Sequence, residues 1–276
     1  MSDPKAAEYN RLLRWFRETG SVLVAYSGGV DSTLLAKAAH DALGERALAL
    51  TAVSASLAPH ELDEARELAE SIGIEHRLEH SGETSKPQYL VNDADRCYHC
   101  KSELYTICAR VAVEAELAVI VNGLNTDDLS DHRPGNRAAD EAGIRSPFVE
   151  LGFDKATIRA HSARLDLPTA SKPELACLAS RFPTGTGITV LGLKQVAAAE
   201  AVVADLGFSQ YRVRFHGVVA RLELPADEIA RIANPGLRQQ LVEGIKAAGF
   251  LFVTVDLAGY SRGSSNPVGM GTDGCL

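Results

Sequence analysis

The sequence predicts an α/β protein: a doubly wound, mostly parallel sheet with a smaller C-terminal α+β domain. Three observations carry this prediction. Short apolar runs of strand length alternate with longer segments whose apolar residues recur at helical spacing. A glycine-rich turn, Ser27-Gly28-Gly29-Val30-Asp31-Ser32, follows directly on the first apolar run, Val22-Leu23-Val24-Ala25-Tyr26. Beyond Pro147 the alternation changes, and short strands return only after a stretch rich in proline and glycine.

Residues 5 to 19 read as a helix whose apolar face carries Leu12, Leu13, Trp15 and Phe16. After the glycine turn, Leu34, Leu35, Ala38, Ala39 and Ala42 recur at helical spacing up to Gly44, a helix stop. A strand from Ala47 to Val53 follows, then a helix over 59 to 72, opened by Pro59 and closed by Gly73, and a strand from Ile74 to Glu79. A helix through 98 to 115 leads to the apolar run Ala118-Val119-Ile120-Val121. Asn122-Gly123-Leu124-Asn125-Thr126-Asp127-Asp128 then puts small, amide and acidic groups at the edge where ligands of such sheets bind. Residues 1–170 are read as the first domain, 171–190 as a linker or active-site loop, and 191–276 as the second domain. The second domain should contain a helix near 193 to 206 and strands at 211 to 215 and 218 to 224 around His216-Gly217. Two more helices and a strand from Phe250 to Asp256 complete it. The Gly- and Ser-rich tail from Ser261 is expected to be mobile.

A chain of 276 residues, 46% hydrophobic, can bury a sizeable core. No run approaches the roughly 20 apolar residues of a membrane span, and the polar N-terminus has no signal-peptide pattern. These features predict a soluble cytoplasmic protein. With 28 Lys plus Arg against 36 Asp plus Glu, the net charge of −8 disfavours nucleic acid as a partner. Five cysteines without a secretion signal point to thiol chemistry or metal binding in a reducing compartment rather than to disulfides.

The turn itself reads as a pyrophosphate-binding loop. Gly28 and Gly29 let the backbone bend sharply and approach an anion, and the amides of the following helix start point outward as donors. The Gly-Lys-Ser/Thr ending of a Walker A loop is absent; Asp31 stands there instead, with a carboxylate suited to Mg²⁺. Ser27, Gly28, Gly29, Asp31, Ser32, Gly123 and Asp128 are therefore the candidate nucleotide-binding residues. The alternative is an ordinary strand-to-helix turn.

Cys97-Tyr98-His99-Cys100 is the chain's one Cys-x-x-Cys, and Cys177 lies far away in sequence. A Cys₃His zinc site with His99, a thioredoxin-like dithiol, and three thiolates around a 4Fe-4S cluster all remain open. The cluster fits best, since an iron without a protein ligand is able to hold sulfide or substrate. Cys108 lies on the apolar side of a helix and reads as core, and Cys275 as incidental. Arg212 and Arg214, two apart on a strand, direct both guanidiniums to one face, where they could clamp a phosphate or lie solvated.

The loop resembles those of the PP-loop ATP pyrophosphatases (adenine nucleotide alpha hydrolase-like fold), which cut ATP to AMP and pyrophosphate. Residues 122 to 128, Arg-Pro-Gly at 133 to 135, Ala-Cys-Leu-Ala-Ser-Arg-Phe-Pro at 176 to 183, Arg212-Val213-Arg214, His216-Gly217 and Val255-Asp256-Leu257-Ala258-Gly259-Tyr260 extend the likeness. Together they resemble the LarE family of ATP-dependent sulfur transferases, which serve nickel-pincer nucleotide cofactor synthesis. The resemblance implies a small nucleotide-like dicarboxylate substrate, pyridinium-3,5-biscarboxylate mononucleotide, whose carboxylates are adenylylated and then converted to thiocarboxylates. Adenylylation makes chemical sense because a phosphate leaves with a pKa of about 6, against roughly 15.7 for water.

The resemblance further implies ATP and Mg²⁺ as cofactors, a homo-oligomer such as a hexamer, and catalytic roles for Asp31, Cys177 and Arg181, whose charge would favour the Cys177 thiolate. It assigns the substrate phosphate to Arg212 and Arg214. It also points to the subgroup with a 4Fe-4S cluster on Cys97, Cys100 and Cys177, whereas in members without the Cys-x-x-Cys the cysteine matching Cys177 gives up its own sulfur. Glu200 and Glu223 resemble acidic positions of the family, but isolated glutamates read first as surface charges. The competing functions are tRNA 2-thiolation by a PP-loop enzyme and a non-catalytic nucleotide-binding redox or metal sensor.

Overall fold

The computed structural model describes residues 4–130, 134–173 and 176–261, which divide into two compact units. The first takes the chain up to Ser54, Pro59–Glu83 and Cys97–Leu175; the second takes Ala55–Ala58, Thr84–Arg96 and the chain from Ala176 onward. Arg133, Cys275 and the tail beyond Ser261 lie outside the described residues.

In the first unit, α1 (Pro4–Thr19), β1 (Val22–Ala25), α2 (Val30–Leu43), β2 (Ala47–Val53), α3 (Pro59–Ile72) and β3 (Glu75–His80) follow one another. After α4 (Pro87–Leu90), a helix of the second unit, come α5 (Arg96–Glu114), β4 (Val119–Val121), α6 (Pro134–Glu141), α7 (Pro147–Leu151) and α8 (Lys155–Arg164). The four strands form a sheet in the order β3-β2-β1-β4, and every pairing is parallel. Central β1 is apolar throughout because helices cover both of its faces. Val22 and Val24 join a cluster with Leu12, Phe16, Leu34 and Ala69, while Leu23, on the opposite face, packs with Leu48, Leu50, Ile107 and Val111. This is the period-two alternation of a strand with both faces buried.

The chain leaves β1 towards β2 on one side and returns as β4 on the other, so the strand order reverses at β1. The segments after β1 and β4 therefore emerge side by side at the carboxyl edge of the sheet, where an open α/β sheet leaves a crevice. β3 begins one residue later than the pattern predicts. It is an edge strand of mostly polar residues, and Ile74 is instead a buried residue of the preceding turn. Cys108 is core, as expected, and burial pushes its thiol up to about 12.

The second unit contains α9 (Val190–Asp205), β5 (Arg212–His216), β6 (Val219–Glu223), α10 (Ala226–Ile229), α11 (Pro235–Ala247) and β7 (Phe252–Val255). β5 pairs antiparallel with β6, and β6 parallel with β7. Phe215 of β5 stacks on Phe182 at 4.5 Å between ring centroids and meets Phe250 edge-on at 5.9 Å. These contacts join the irregular segment after Ala176 to the sheet. No helix among the described residues is long and apolar enough to cross a membrane.

Candidate functional site

Beyond β1 the chain must turn at once to enter α2. Gly28 adopts φ +72°, and a Cβ there would stand 2.9 Å from the Cβ of Ala65, so conformation and space both require glycine. The turn is closed by Ser32, whose Oγ donates to the Gly29 carbonyl at 3.2 Å and accepts the Ser27 amide at 3.2 Å. α2 starts with Gly29 as an extended N-cap and no side-chain cap. Its first amides have no partner within the helix, which makes the loop an anion-binding helix start. Gly123, just after β4, lies against that start: a Cβ on it would come within 3.1 Å of the Asp31 Cβ and of the Ser32 amide nitrogen. Ser27, Gly28, Gly29, Asp31, Ser32 and Gly123 thus come together as expected from their positions at one sheet edge.

Asp31 lies in the first turn of α2, and its carboxylate accepts from Lys155 Nζ at 2.7 Å. Lys155 opens α8, where Asp154 caps the helix by accepting the Thr157 amide, and its own amide donates to Asp127 at 3.1 Å. Asp128 folds back to accept the Asn125 amide at 3.2 Å. Burial pushes the Asp31 carboxyl up, Lys155 pulls it back, and the charge of Asp128 raises it again. The donor chemistry fits Mg²⁺: two carboxylates supply hard oxygens beside an anion cradle, and a desolvated carboxylate gains from a nearby cation. Lys172 Nζ also reaches the loop, at 3.3 Å from the Gly28 carbonyl, while pairing with Glu64 at 2.6 Å.

In the second unit, Cys177 is exposed and immediately precedes a 3₁₀ turn, Leu178–Arg181. Arg181 is buried and makes two hydrogen bonds of 2.9 Å to Glu200, and its Nη1 donates to the carbonyls of Ala176 and Cys177. Glu200 also accepts the Val213 amide at 2.9 Å. Arg214 donates twice to Glu223, at 2.9 and 2.8 Å, and once to the Ser180 carbonyl at 2.9 Å; Arg221 reaches the other oxygen of Glu223 at 3.0 Å.

This geometry corrects two expectations. Glu200 and Glu223 are not surface charges: they are 3% and 0% exposed and neutralise buried guanidiniums. The charge of Arg181, expected to favour the Cys177 thiolate, is already matched by Glu200, so its contact with Cys177 is to the backbone. Arg212 and Arg214 are both buried, which removes the solvated-face alternative, but they differ in their partners. Among the described residues Arg212 has no carboxylate within ion-pair distance. It donates to the Tyr211 carbonyl at 2.7 Å and lies 5.3 Å from the centre of the Tyr260 ring. Burial, with the charge of Arg181 nearby, pulls its guanidinium down.

The cysteines are divided. Cys97 and Cys100 lie three apart in the first turn of α5 in the first unit, and Cys177 belongs to the second. Among the described residues no three His, Cys, Asp or Glu side chains are gathered to hold a metal ion. Cys100 and Cys177 carry free thiols, and a thiol that ionises is the donor that zinc or an iron-sulfur cluster takes. The cluster expected on Cys97, Cys100 and Cys177 would draw its ligands from both units.

Lys155 and Lys172 were not legible as site residues. Lys155 carried one signal: a lysine in the first turn of a helix opposes the helix dipole and calls for a compensating partner, here Asp31.

The family model for NAD synthase matches residues 15–88, the stretch that contains the glycine loop. An uncharacterized protein of Synechocystis sp. is 45% identical over 262 residues, 95% of this chain and 98% of that relative. The pyridinium-3,5-bisthiocarboxylic acid mononucleotide synthase of Lactiplantibacillus plantarum is 36% identical over 258 residues, 92% of each chain. A tRNA-specific 2-thiouridylase of Caulobacter vibrioides is 27% identical over 67% of this chain and 58% of its own length.

Gly28→Ala should weaken nucleotide binding by about tenfold to a hundredfold, the equivalent of the 1 to 3 kcal/mol that strain at such a position costs. Equilibrium binding of ATP to the folded variant checks this, and unchanged affinity would remove the loop from the site. Glu223→Ala should destabilise the fold by about 3 to 5 kcal/mol in urea unfolding because it removes the buried carboxylate that takes two hydrogen bonds from Arg214. Arg212→Ala, which orphans no carboxylate, should cost nearer the 1 kcal/mol or so of an ordinary substitution.

Proposed function

Because this chain belongs to the LarE family, that of the pyridinium-3,5-bisthiocarboxylic acid mononucleotide synthase, we propose that it is an ATP-dependent sulfur transferase acting on pyridinium-3,5-biscarboxylate mononucleotide. The observation that supports this most is that the likeness runs through both units, over 92% of the chain, and so includes the glycine loop and the Cys177 segment alike. The thiouridylase likeness covers a smaller part at lower identity, so the tRNA reading is the weaker one.

In this proposal the loop from Ser27 to Ser32 and the opening amides of α2 hold the β- and γ-phosphates. Asp31 and Asp128 would hold Mg²⁺, which when bound neutralises charge on the departing pyrophosphate. A substrate carboxylate oxygen attacks the α-phosphorus, and the bond to pyrophosphate breaks, leaving an acyl adenylate. Arg212, the buried guanidinium without a carboxylate partner among the described residues, takes the substrate's own phosphate; Arg214 supports the site through Glu223.

The Cys177 thiolate then attacks the activated carbonyl carbon and expels AMP, giving a thioester. Loss of the Cys177 α-proton and cleavage of its Cβ–S bond release the thiocarboxylate and leave dehydroalanine at position 177.

With ATP, Mg²⁺ and the dicarboxylate substrate, the protein should release pyrophosphate and AMP in equal amounts, and Asp31→Ala should abolish both. Stoichiometric ADP would sink the adenylylation reading.

The fate of the sulfur is a separate test. Mass spectrometry of the peptide spanning position 177 should show loss of hydrogen sulfide in step with product, with no more than one thiocarboxylate made per chain. Repeated turnover by iron-loaded protein with Cys177 intact would replace this route with the cluster-borne one.

A further inference from the structure

The stretch from Ala176 to Ile188 belongs to no strand and only briefly to a 3₁₀ turn, so beyond the local turn bonds of Cys177, Ala179 and Pro183 its carbonyls turn to side chains. Arg181 takes those of Ala176 and Cys177, and Arg214 that of Ser180. Four more are held from one place. The two hydrogens of Asn92 Nδ2 go to the carbonyls of Pro183 at 2.9 Å and Thr186 at 3.0 Å, one of them shared with that of Phe182 at 3.4 Å. Arg96 Nη1 donates to the carbonyl of Ala179 at 2.9 Å and to Asn92 Oδ1 at 3.0 Å. The Asn92 carbonyl in turn accepts the Gly185 amide at 2.8 Å, and that of Leu90 accepts the Ile188 amide at 2.8 Å.

Both side chains are buried, and Asn92 sits at φ +56°, a left-handed conformation that asparagine tolerates better than most residues. The polar atoms of this asparagine are thus spent on holding one segment, and a charged donor backs it. The fixed points bracket Cys177 on both sides: Ala176 and Cys177 through Arg181, Ala179 through Arg96. The Cys177 side chain is what the bracket leaves exposed.

We propose that Asn92 and Arg96 are positioning residues that hold the 176–188 segment so that Cys177 is presented in one geometry for sulfur transfer. This deepens the reading of Cys177 as the sulfur-handling residue and rests on it. Small losses of geometry at a reacting group cost large factors in rate, whereas the nucleotide loop, in the other unit, makes no use of either side chain.

The test uses the full chain and the variants Arg96→Met, Arg96→Lys and Asn92→Asp. Asn92→Asp is nearly isosteric and keeps the acceptor for Arg96 but removes the Nδ2 donor. The first measurement is the rate of Cys177 alkylation by iodoacetamide, read at the peptide spanning position 177, with no substrate present. The second is single-turnover thiocarboxylate formation alongside pyrophosphate release.

Arg96→Met and Asn92→Asp should change the alkylation rate and lower the thiocarboxylate rate by about tenfold to a hundredfold, the worth of a charged hydrogen bond. The KM for ATP in pyrophosphate release should stay at the parental value, and Arg96→Lys should recover much of both rates. Parental alkylation and transfer rates in folded Arg96→Met and Asn92→Asp would overturn the proposal, as would a fall in pyrophosphate release and transfer by the same factor. Should Arg96→Met fail to fold, Asn92→Asp and Arg96→Lys decide by the same criteria. Wild-type protein that releases no pyrophosphate would sink the functional reading, while the alkylation rates would still judge the clamp.

Discussion

A charge taken out of water must be matched where it is buried, and the second unit is arranged around that requirement. Arg181 and Arg214 are almost fully buried, and each meets a glutamate that is itself buried. Leaving any one of the four without its partner would cost more than a typical hydrogen bond returns. The pairs link separate elements: Glu200 lies on α9, Glu223 on β6 and Arg214 on β5, and their spare hydrogen bonds go to the backbone between Ala176 and Val213. Hydrophobic contacts such as Phe182 on Phe215 fill the space between these links. A replacement of the ion pairs by apolar residues would pack without holding those carbonyls, which is why charge serves here despite its desolvation cost.

The first unit meets a different constraint with less charge. Its sheet reverses direction at β1, so the turns after β1 and β4 face each other; Ala65 of α3 crowds position 28, and the start of α2 lies close against position 123. Asp31 stands in that narrow place, raised by burial and held by Lys155. Placing the lysine at the start of α8, against the helix dipole, makes its position depend on the carboxylates it faces. A cation and a phosphate at this place would engage the two partners of that pair, the carboxylate taking the cation and the ammonium the phosphate.

Much of this was legible in the sequence where local chemistry decides the structure. The apolar run of β1, the glycine loop, the capped and terminated helices and the α+β pattern after Pro147 all follow from periodicity and turn residues, and Cys108 follows from its helix face. What was not legible depends on partners far away in the chain. Glu200 sits in Ala-Ala-Ala-Glu-Ala-Val-Val, a lone charge in an apolar helix, and that isolation was a signal of burial that outweighs the general habit of glutamates to lie at the surface. Glu223 lies between Leu222 and Leu224, where neighbours alone do not show which face turns inward. Asn92 gave no sign, because nothing local shows that an asparagine will adopt a left-handed conformation and collect carbonyls from ninety residues away.

The irregular backbone around Cys177 suits the chemistry proposed for it. In a strand or helix, the amide and carbonyl of each residue are tied to a ladder, and a change at one α-carbon disturbs its neighbours through those bonds. Cys177 instead precedes a short 3₁₀ turn with extended dihedrals, and the surrounding carbonyls are held by side chains of Arg181, Arg214, Arg96 and Asn92. Those anchors contact oxygen atoms and do not depend on the Cys177 side chain. Conversion of its α-carbon to the planar geometry of dehydroalanine would remove none of these bonds, since they reach the Cys177 carbonyl and its neighbours and not the thiol. A segment fixed by its carbonyls and open at its thiol is able to lose a sulfur atom without losing its place in the fold.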